Sequence, residues 1–293
     1  IALTTANVFR EFYNDNKHVV WDWDAVSRIQ QEYEGAFCGC VPGRFEYNVC
    51  CDFASLYPSQ VQTCNFSFEN QVVNMVGPDS LGRYVKVPWT EQQLDEFRKD
   101  PNYFVSVNGC IYNNDKDYAF KIIQSTLKAN RNTFKYLAKG LYADVMSDVE
   151  NLMAGHTLKS RDYKEEYVKA MNEIGFDIRS SEDLYNINLS EFKPKLATLI
   201  EFYTSYEQAM KLLGNSMYGG SSHISFFWFN MGLANDITGE ARNVIHLMEN
   251  HIPEYIRNEW PYMTDVHKEL GITVNSEKAN KLLEKFVKLN ESI

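Results

Sequence analysis

Apolar residues recur along much of this chain at the three-and-four-residue spacing of a helix, and the stretches that break the rhythm are short. From Lys121 to Leu141, Ile123, Leu127, Phe134, Leu137 and Leu141 fall on one side of a helix, since each residue turns by about 100°. Lys121, Lys128, Arg131, Lys135 and Lys139 fall within an arc of roughly 80° on the other side, with no acid interrupting them. The spacing predicts an amphipathic helix with a wholly basic outer stripe. A second long helix is expected from Asn235 to Ile252, with Ile237, Ala241, Val244, Ile245, Met248 and Ile252 as its core face. Pro253 should end or kink it. Residues 1–32, with Trp21-Asp22-Trp23-Asp24 as a turn and helix start, and residues 276–290 also read as helical. Between Lys121 and Gly219 the pattern stays mostly helical, interrupted by a charged insert, Ser160 to Glu191, expected to form a helical tip rather than a catalytic element.

Residues 37–115 are different: short apolar runs separated by Val41-Pro42-Gly43, Gly77-Pro78, Asn108-Gly109 and Asn113-Asn114-Asp115. Tyr47 to Cys51 reads as a buried strand. Val105 to Tyr112, centred on Asn108-Gly109, reads as a β-hairpin. The fold class is therefore α+β. At 293 residues and 44% hydrophobic content the chain can bury a substantial core. No run of about 18 apolar residues occurs, so no membrane span is expected, and the start carries no signal-peptide pattern. A cytoplasmic location is expected. The chain opens on Ile1 rather than Met and is expected to be a fragment or processed piece.

The net charge of −10 and pI near 5.2 argue against a simple nucleic-acid coat, which is usually basic. They leave room for an enzyme in which a local basic stripe handles phosphate. The six cysteines do not form two pairs at zinc spacing, and reduced thiols are expected. None of the six histidines makes a metal-spaced pair with a nearby cysteine, and all six read as structural or exposed.

Two strings carry the chemistry. In Cys51-Asp52-Phe53-Ala54-Ser55-Leu56-Tyr57-Pro58-Ser59 one acid leaves a strand into a tight, Pro-terminated turn. A carboxylate there can hold a divalent metal, and the following amides with Ser55 can bind phosphate oxygens. In Lys211-Leu212-Leu213-Gly214-Asn215-Ser216-Met217-Tyr218-Gly219 a cation, an amide and an aromatic ring sit at i, i+4 and i+7, on one helix face. That stripe suits a nucleoside triphosphate.

The first string resembles motif A, and the second motif B, of the family B DNA polymerases, with a word order most like the replicative enzymes of large tailed phages. The resemblance runs from about Tyr33 to Arg257. It implies a polymerase palm, an antiparallel sheet with helices, interrupted by an inserted helical hairpin, the fingers. The chain then divides into an N-terminal linker helix region (1–32), a first palm segment with motif A (33–115), fingers (116–224) and a closing palm segment (225–293). The activity implied is nucleotidyl transfer from a dNTP to a DNA primer 3′-hydroxyl, with two Mg²⁺ ions in the complete enzyme. By the same resemblance Asp52 and the carbonyl of Phe53 are metal ligands. Ser55, Leu56, Tyr57, Arg131, Lys135, Lys211 and Asn215 bind the dNTP, with Tyr57 lying under the sugar and excluding a 2′-hydroxyl. Tyr218 and Gly219 belong to the base-pair pocket. Tyr33 and Gly35, in Tyr33-Glu34-Gly35-Ala36, match a word that touches the template.

One departure matters. The Asp-Thr-Asp-Ser word of motif C, source of the second acidic cluster, does not occur; Thr264-Asp265 is its nearest echo. The expected partners are therefore primer-template DNA, dNTP and a second polymerase chain or segment carrying motif C and thumb, without which this chain should not extend a primer. The competing readings are a non-catalytic nucleotide- or DNA-binding remnant and a protein-primed polymerase.

Overall fold

The computed structural model describes residues 8, 10, 11, 35–39, 43, 51–77 and 85–269. The helix expected at 276–290, most of the N-terminal helical region and all but the last residue of the buried strand expected from Tyr47 to Cys51 lie outside them; Cys51 itself is exposed and irregular. Helix α1, Leu56–Thr63, is followed by β1 (Gln71–Val72), β2 (Met75–Val76), β3 (Val85–Lys86), α2 (Glu91–Lys99), β4 (Tyr103–Val105) and β5 (Ile111–Asn113). Strands β1, β5 and β4 form an antiparallel sheet in that order, and β2 pairs with β3. The fold is mixed helix and sheet, as the α+β expectation required.

The hairpin forms where Asn108-Gly109 placed it. Val105 pairs with Ile111. The Gly109 amide donates to the Ser106 carbonyl at 2.9 Å, and Gly109 sits at φ +75°, a conformation that side chains with a Cβ rarely adopt. Helix α2 starts on a capping box in which Thr90 and Gln93 satisfy each other's amides, worth about 1 kcal/mol.

Helix α3 (Ala119–Gly140) is the basic-striped helix. It runs through a π-helical segment, Leu141–Met146, into α4 (Ser147–Met153). Then come α5 (Glu165–Glu173), a 3₁₀ turn (Asp183–Asn186), α6 (Leu189–Ser221) and α7 (Met231–Asn258). A second 3₁₀ turn, Trp260–Tyr262, leads to α8 (Thr264–Glu269). Two findings correct the sequence reading. Pro58 does not terminate a turn; it lies in the first turn of α1, where the amide it lacks has no intrahelical partner to lose. Of the two outcomes expected at Pro253, an end or a kink, the helix end does not occur: α7 continues to Asn258. The missing amide bond falls beside exposed Glu249 and Asn250, where water can satisfy the carbonyl left over.

Helices α3 and α6 lie antiparallel. Gln124 meets Gly214, Arg131 meets Glu207, and Phe134 stacks with Tyr203. The pair joins two cores. The first gathers Val61, Phe66, Tyr112, Phe120, Met217, Trp228 and Ile237. The second, around the Ser160–Glu191 insert, gathers Leu141, Val149, Tyr167, Met171, Leu184, Phe192 and Leu196. A fully buried side chain of this size contributes about 1.5–3 kcal/mol. Exposed pairs such as Lys169–Glu165 contribute less than about 1 kcal/mol. Apolar packing, rather than such exposed pairs, is therefore the main contribution to the tip.

Candidate nucleotide site

The motif A segment reaches the site as irregular chain. Cys51 and Asp52 are exposed and Phe53 half-buried, with Ala54-Ser55 forming a turn into α1. Ser55 adopts φ +56°, ψ +51°, the left-handed region, which is uncommon for a residue with a side chain. Serine at this position usually accepts a hydrogen bond from its own helix; here it makes no such cap. Its hydroxyl instead accepts from Arg131 Nη1 at 3.0 Å. The first amides of α1, at Leu56 and Tyr57, thus have no side-chain acceptor at the positive end of the helix, an arrangement suited to an anion.

Three elements converge here. Ser55, Pro58, Ser59 and Gln62 from the start of α1, Gln124, Leu127, Lys128 and Arg131 from α3, and Met210, Lys211 and Gly214 from α6 line one narrow cleft of about 30 Å³. Gly214 permits the close approach: its carbonyl accepts from Gln124 Nε2 at 2.7 Å, and a Cβ there would stand 3.1 Å from Gln124 Oε1. The two motif strings also meet through their rings. Tyr57 stacks on Tyr218 with centroids 4.6 Å apart and planes at 28°.

The remaining candidates are distributed around this centre. Asp52 lies three residues before Ser55 and does not line the cleft. Leu56 and Tyr57 are half-buried, and Asn215 is exposed on α6. At Gly219 a Cβ would meet nothing within 4 Å. Lys135, one turn beyond Arg131, lines a separate open groove of about 420 Å³ with Asn132, Tyr136, Lys139, Gly140, Ala143 and Tyr167. Gly35 is exposed and its carbonyl accepts from Arg242 Nη1 of α7 at 2.6 Å; Tyr33 lies outside the described residues. Asp265 sits in the first turn of α8.

Among the described residues Lys128, Lys135, Lys139 and Lys211 make no ion pair, whereas Lys121 pairs with Asp117. On the stripe itself Arg131 also pairs, with Glu207, which leaves Lys128, Lys135 and Lys139 without an ion pair among the described residues. No group of three or more His, Cys, Asp or Glu side chains able to hold a metal occurs among the described residues, and no described helix is long and apolar enough to cross a membrane. His267 is buried against Trp260, rings 4.5 Å apart, with Nε2 left without a hydrogen-bond partner.

No family model matches the chain. Over 266 residues, 86% of this chain, it is 24% identical to a DNA-directed DNA polymerase of Escherichia phage RB69. The chain is similar to a phage DNA polymerase. It spans 26% of that protein's length. The likeness extends well beyond the two motif strings, so it supports the family resemblance on residues additional to those that first suggested it.

Sequence reasoning did not place Lys128 in the cleft or Glu207 beside Arg131. Lys128 lies on the basic stripe and lines the cleft with Arg131, so its signal was already present. Glu207 stands four residues before Lys211, which puts it one turn back on the motif B stripe. Its Oε1 accepts from Arg131 Nε at 2.6 Å.

Proposed function

We propose that this chain is the palm-and-fingers portion of a template-directed DNA polymerase, which binds a metal-bound dNTP and presents it to a primer-template. The observation that carries this reading is the convergence of Ser55, Arg131 and Lys211 on one cleft, from three elements far apart in sequence. Arg131, Lys211 and Lys128 supply the charge for a triphosphate tail, and the Leu56 and Tyr57 amides supply donors at a helix start. Lys135, facing the neighbouring groove, would reach the far end of the tail. Asn215, Tyr218 and Gly219 continue the α6 stripe towards the base. Tyr57, stacked on Tyr218, offers a flat floor for the sugar. Gly35, tied to α7, belongs with the template-contacting loop.

The metal fits in part. Mg²⁺ is commonly held by one or two carboxylates together with substrate phosphates and waters. Asp52, exposed just before the phosphate-binding turn, suits one ion carried in by the nucleotide, and the Phe53 carbonyl is its neighbour. Such an ion neutralises phosphate charge when bound. A two-ion centre does not fit the described residues, which lack a second carboxylate set. We therefore assign nucleotide binding and orientation to this chain and leave the bond-making step to an acidic element supplied by a second chain or segment. A non-catalytic, nucleotide-binding remnant is the second reading, favoured by the same missing acids.

Titration of Mg·dTTP into wild type and Arg131→Ala tests the pocket. Wild type should bind, and loss of the guanidinium should weaken binding by roughly tenfold or more, the scale of a charge-assisted contact. Equal binding by the two proteins would remove the reading. Primer extension by the chain alone should be absent; robust extension would overturn the division of labour.

A further inference from the structure

We infer that Glu207 is a positioning residue for the phosphate clamp, a carboxylate that fixes the Arg131 fork so that its free N–H groups and the Ser55 hydroxyl face the incoming phosphates. This rests on the polymerase reading and extends it to a residue in neither motif string.

The geometry is a three-membered chain across three elements. Glu207 Oε1 of α6 accepts from Arg131 Nε at 2.6 Å, and Arg131 Nη1 of α3 donates to Ser55 Oγ at 3.0 Å. The Arg131 and Glu207 side chains are 23% and 17% exposed, far more buried than a solvated pair such as Lys169–Glu165 at 70% and 82%. The default partner of Glu207 would be Lys211, four residues on along the same helix. Among the described residues those two make no ion pair, and Glu207 reaches across to α3 instead. A guanidinium carries five donors in a rigid plane. With one given to Glu207 and one to Ser55, three remain, in an orientation held from both sides. Ser55, accepting from Arg131, keeps its own proton to donate. Lys211 is left without a neighbouring carboxylate as partner, and so its charge stays available.

The arrangement has an electrostatic cost that makes it testable. A carboxylate beside a phosphate cleft repels the ligand, and Glu207 cancels the net charge of Arg131. If charge alone mattered, removing Glu207 would tighten binding. If Glu207 orients the fork, removing it frees a rotamer-rich side chain that must be ordered again on binding, and affinity falls by roughly 3- to 10-fold.

The experiment titrates Mg·dTTP, and separately inorganic tripolyphosphate, into wild type, Glu207→Gln, Glu207→Ala, Arg131→Ala and the Glu207→Gln/Arg131→Ala double variant. Expected is weaker binding in the order wild type, Gln, Ala, with the double variant no weaker than Arg131→Ala alone. Unchanged or tighter binding by Glu207→Gln, or an additive double variant, overturns the inference while the pocket stands. If wild type binds neither probe, or Arg131→Ala changes nothing, the polymerase-site reading itself falls and takes this inference with it. Circular dichroism melts accompany each variant. Should Glu207→Gln melt early, Arg131→Lys decides: it keeps the cation and drops the fork, so reduced affinity supports the inference and wild-type affinity refutes it.

Discussion

Replacing Gly220 by alanine, beside the matching change at Gly219, separates a glycine that packing demands from one that a ligand surface demands. Both lie in the last turn of α6. A Cβ on Gly220 would stand 2.5 Å from Trp228 Nε1, with two further ring atoms within 2.8 Å. Trp228 is 1% exposed and boxed in by Phe120, Phe226 and Phe227, so the indole has no vacant space to enter. It also donates to the Met217 carbonyl at 3.3 Å. Overpacking of this kind costs about 1–3 kcal/mol, and losing the hydrogen bond about 1 kcal/mol more. Alanine's better helix propensity offsets up to about 1 kcal/mol. The net expectation for Gly220→Ala is about 1–3 kcal/mol of destabilisation, or roughly 3–10 °C in melting temperature for a chain of this size. At Gly219 the same Cβ meets nothing within 4 Å, so Gly219→Ala should leave the melting temperature unchanged or slightly raised while weakening Mg·dTTP binding. Differential scanning calorimetry on the two variants, with a nucleotide titration on Gly219→Ala, checks both halves. A Gly220→Ala protein as stable as wild type would refute the packing argument, and an equal loss at Gly219 would refute the contrast.

Asp236, fully buried, accepts from Ser106 Oγ, Asn108 Nδ2 and the Tyr112 hydroxyl. Asp236→Ala should cost on the order of 3–5 kcal/mol by stranding those donors, read by calorimetry. One turn on, burial raises the Glu240 pKa, a rise opposed by its bond from the Val107 amide and reinforced by the lesser effect of the Asp236 charge. A carboxyl whose folded pKa exceeds its unfolded value adds no penalty below the unfolded pKa and loses stability as pH rises through the folded one. Melting temperature should therefore fall over that window, and Glu240→Gln should flatten the fall; an unchanged profile would contradict it. Burial pushes the Cys64 and Cys110 thiols up to about 12, while Cys38 and Cys51 are exposed. Peptide mass mapping after brief iodoacetamide treatment at pH 8 should find Cys38 and Cys51 modified ahead of buried Cys64 and half-buried Cys110, with Mg·dTTP protecting Cys51 beside Asp52. Arg161 grips Asp148, Asp144 and the Asp144 carbonyl. Arg161→Ala should cost about 1–3 kcal/mol after allowing for its exposure. Hydrogen exchange should place that loss in the insert's core, with nucleotide affinity unchanged.

What could be read without coordinates was whatever depends on neighbours within a turn or two. The 3.6-residue period identified the buried face of α3 through Ile123 and Leu127, because side chains at that spacing must share one side of a helix. Asn108-Gly109 announced its hairpin because few residues other than glycine tolerate the positive φ the turn requires. The same locality made the motif strings legible: Lys211, Asn215 and Tyr218 fall on one stripe by spacing alone. Pro253 shows the limit of that local reasoning, since a missing amide ends a helix only where nothing else can satisfy the exposed carbonyl. Folding in three dimensions decided the rest. Arg131 meets both Ser55 and Glu207 across 76 residues of sequence, and Asp236 finds its hairpin donors more than 120 residues away. Which cation turns towards the cleft, which acid it takes, and which carboxylate is buried depend on how α3, α6 and α7 pack, and packing of distant segments leaves no periodic trace along the chain.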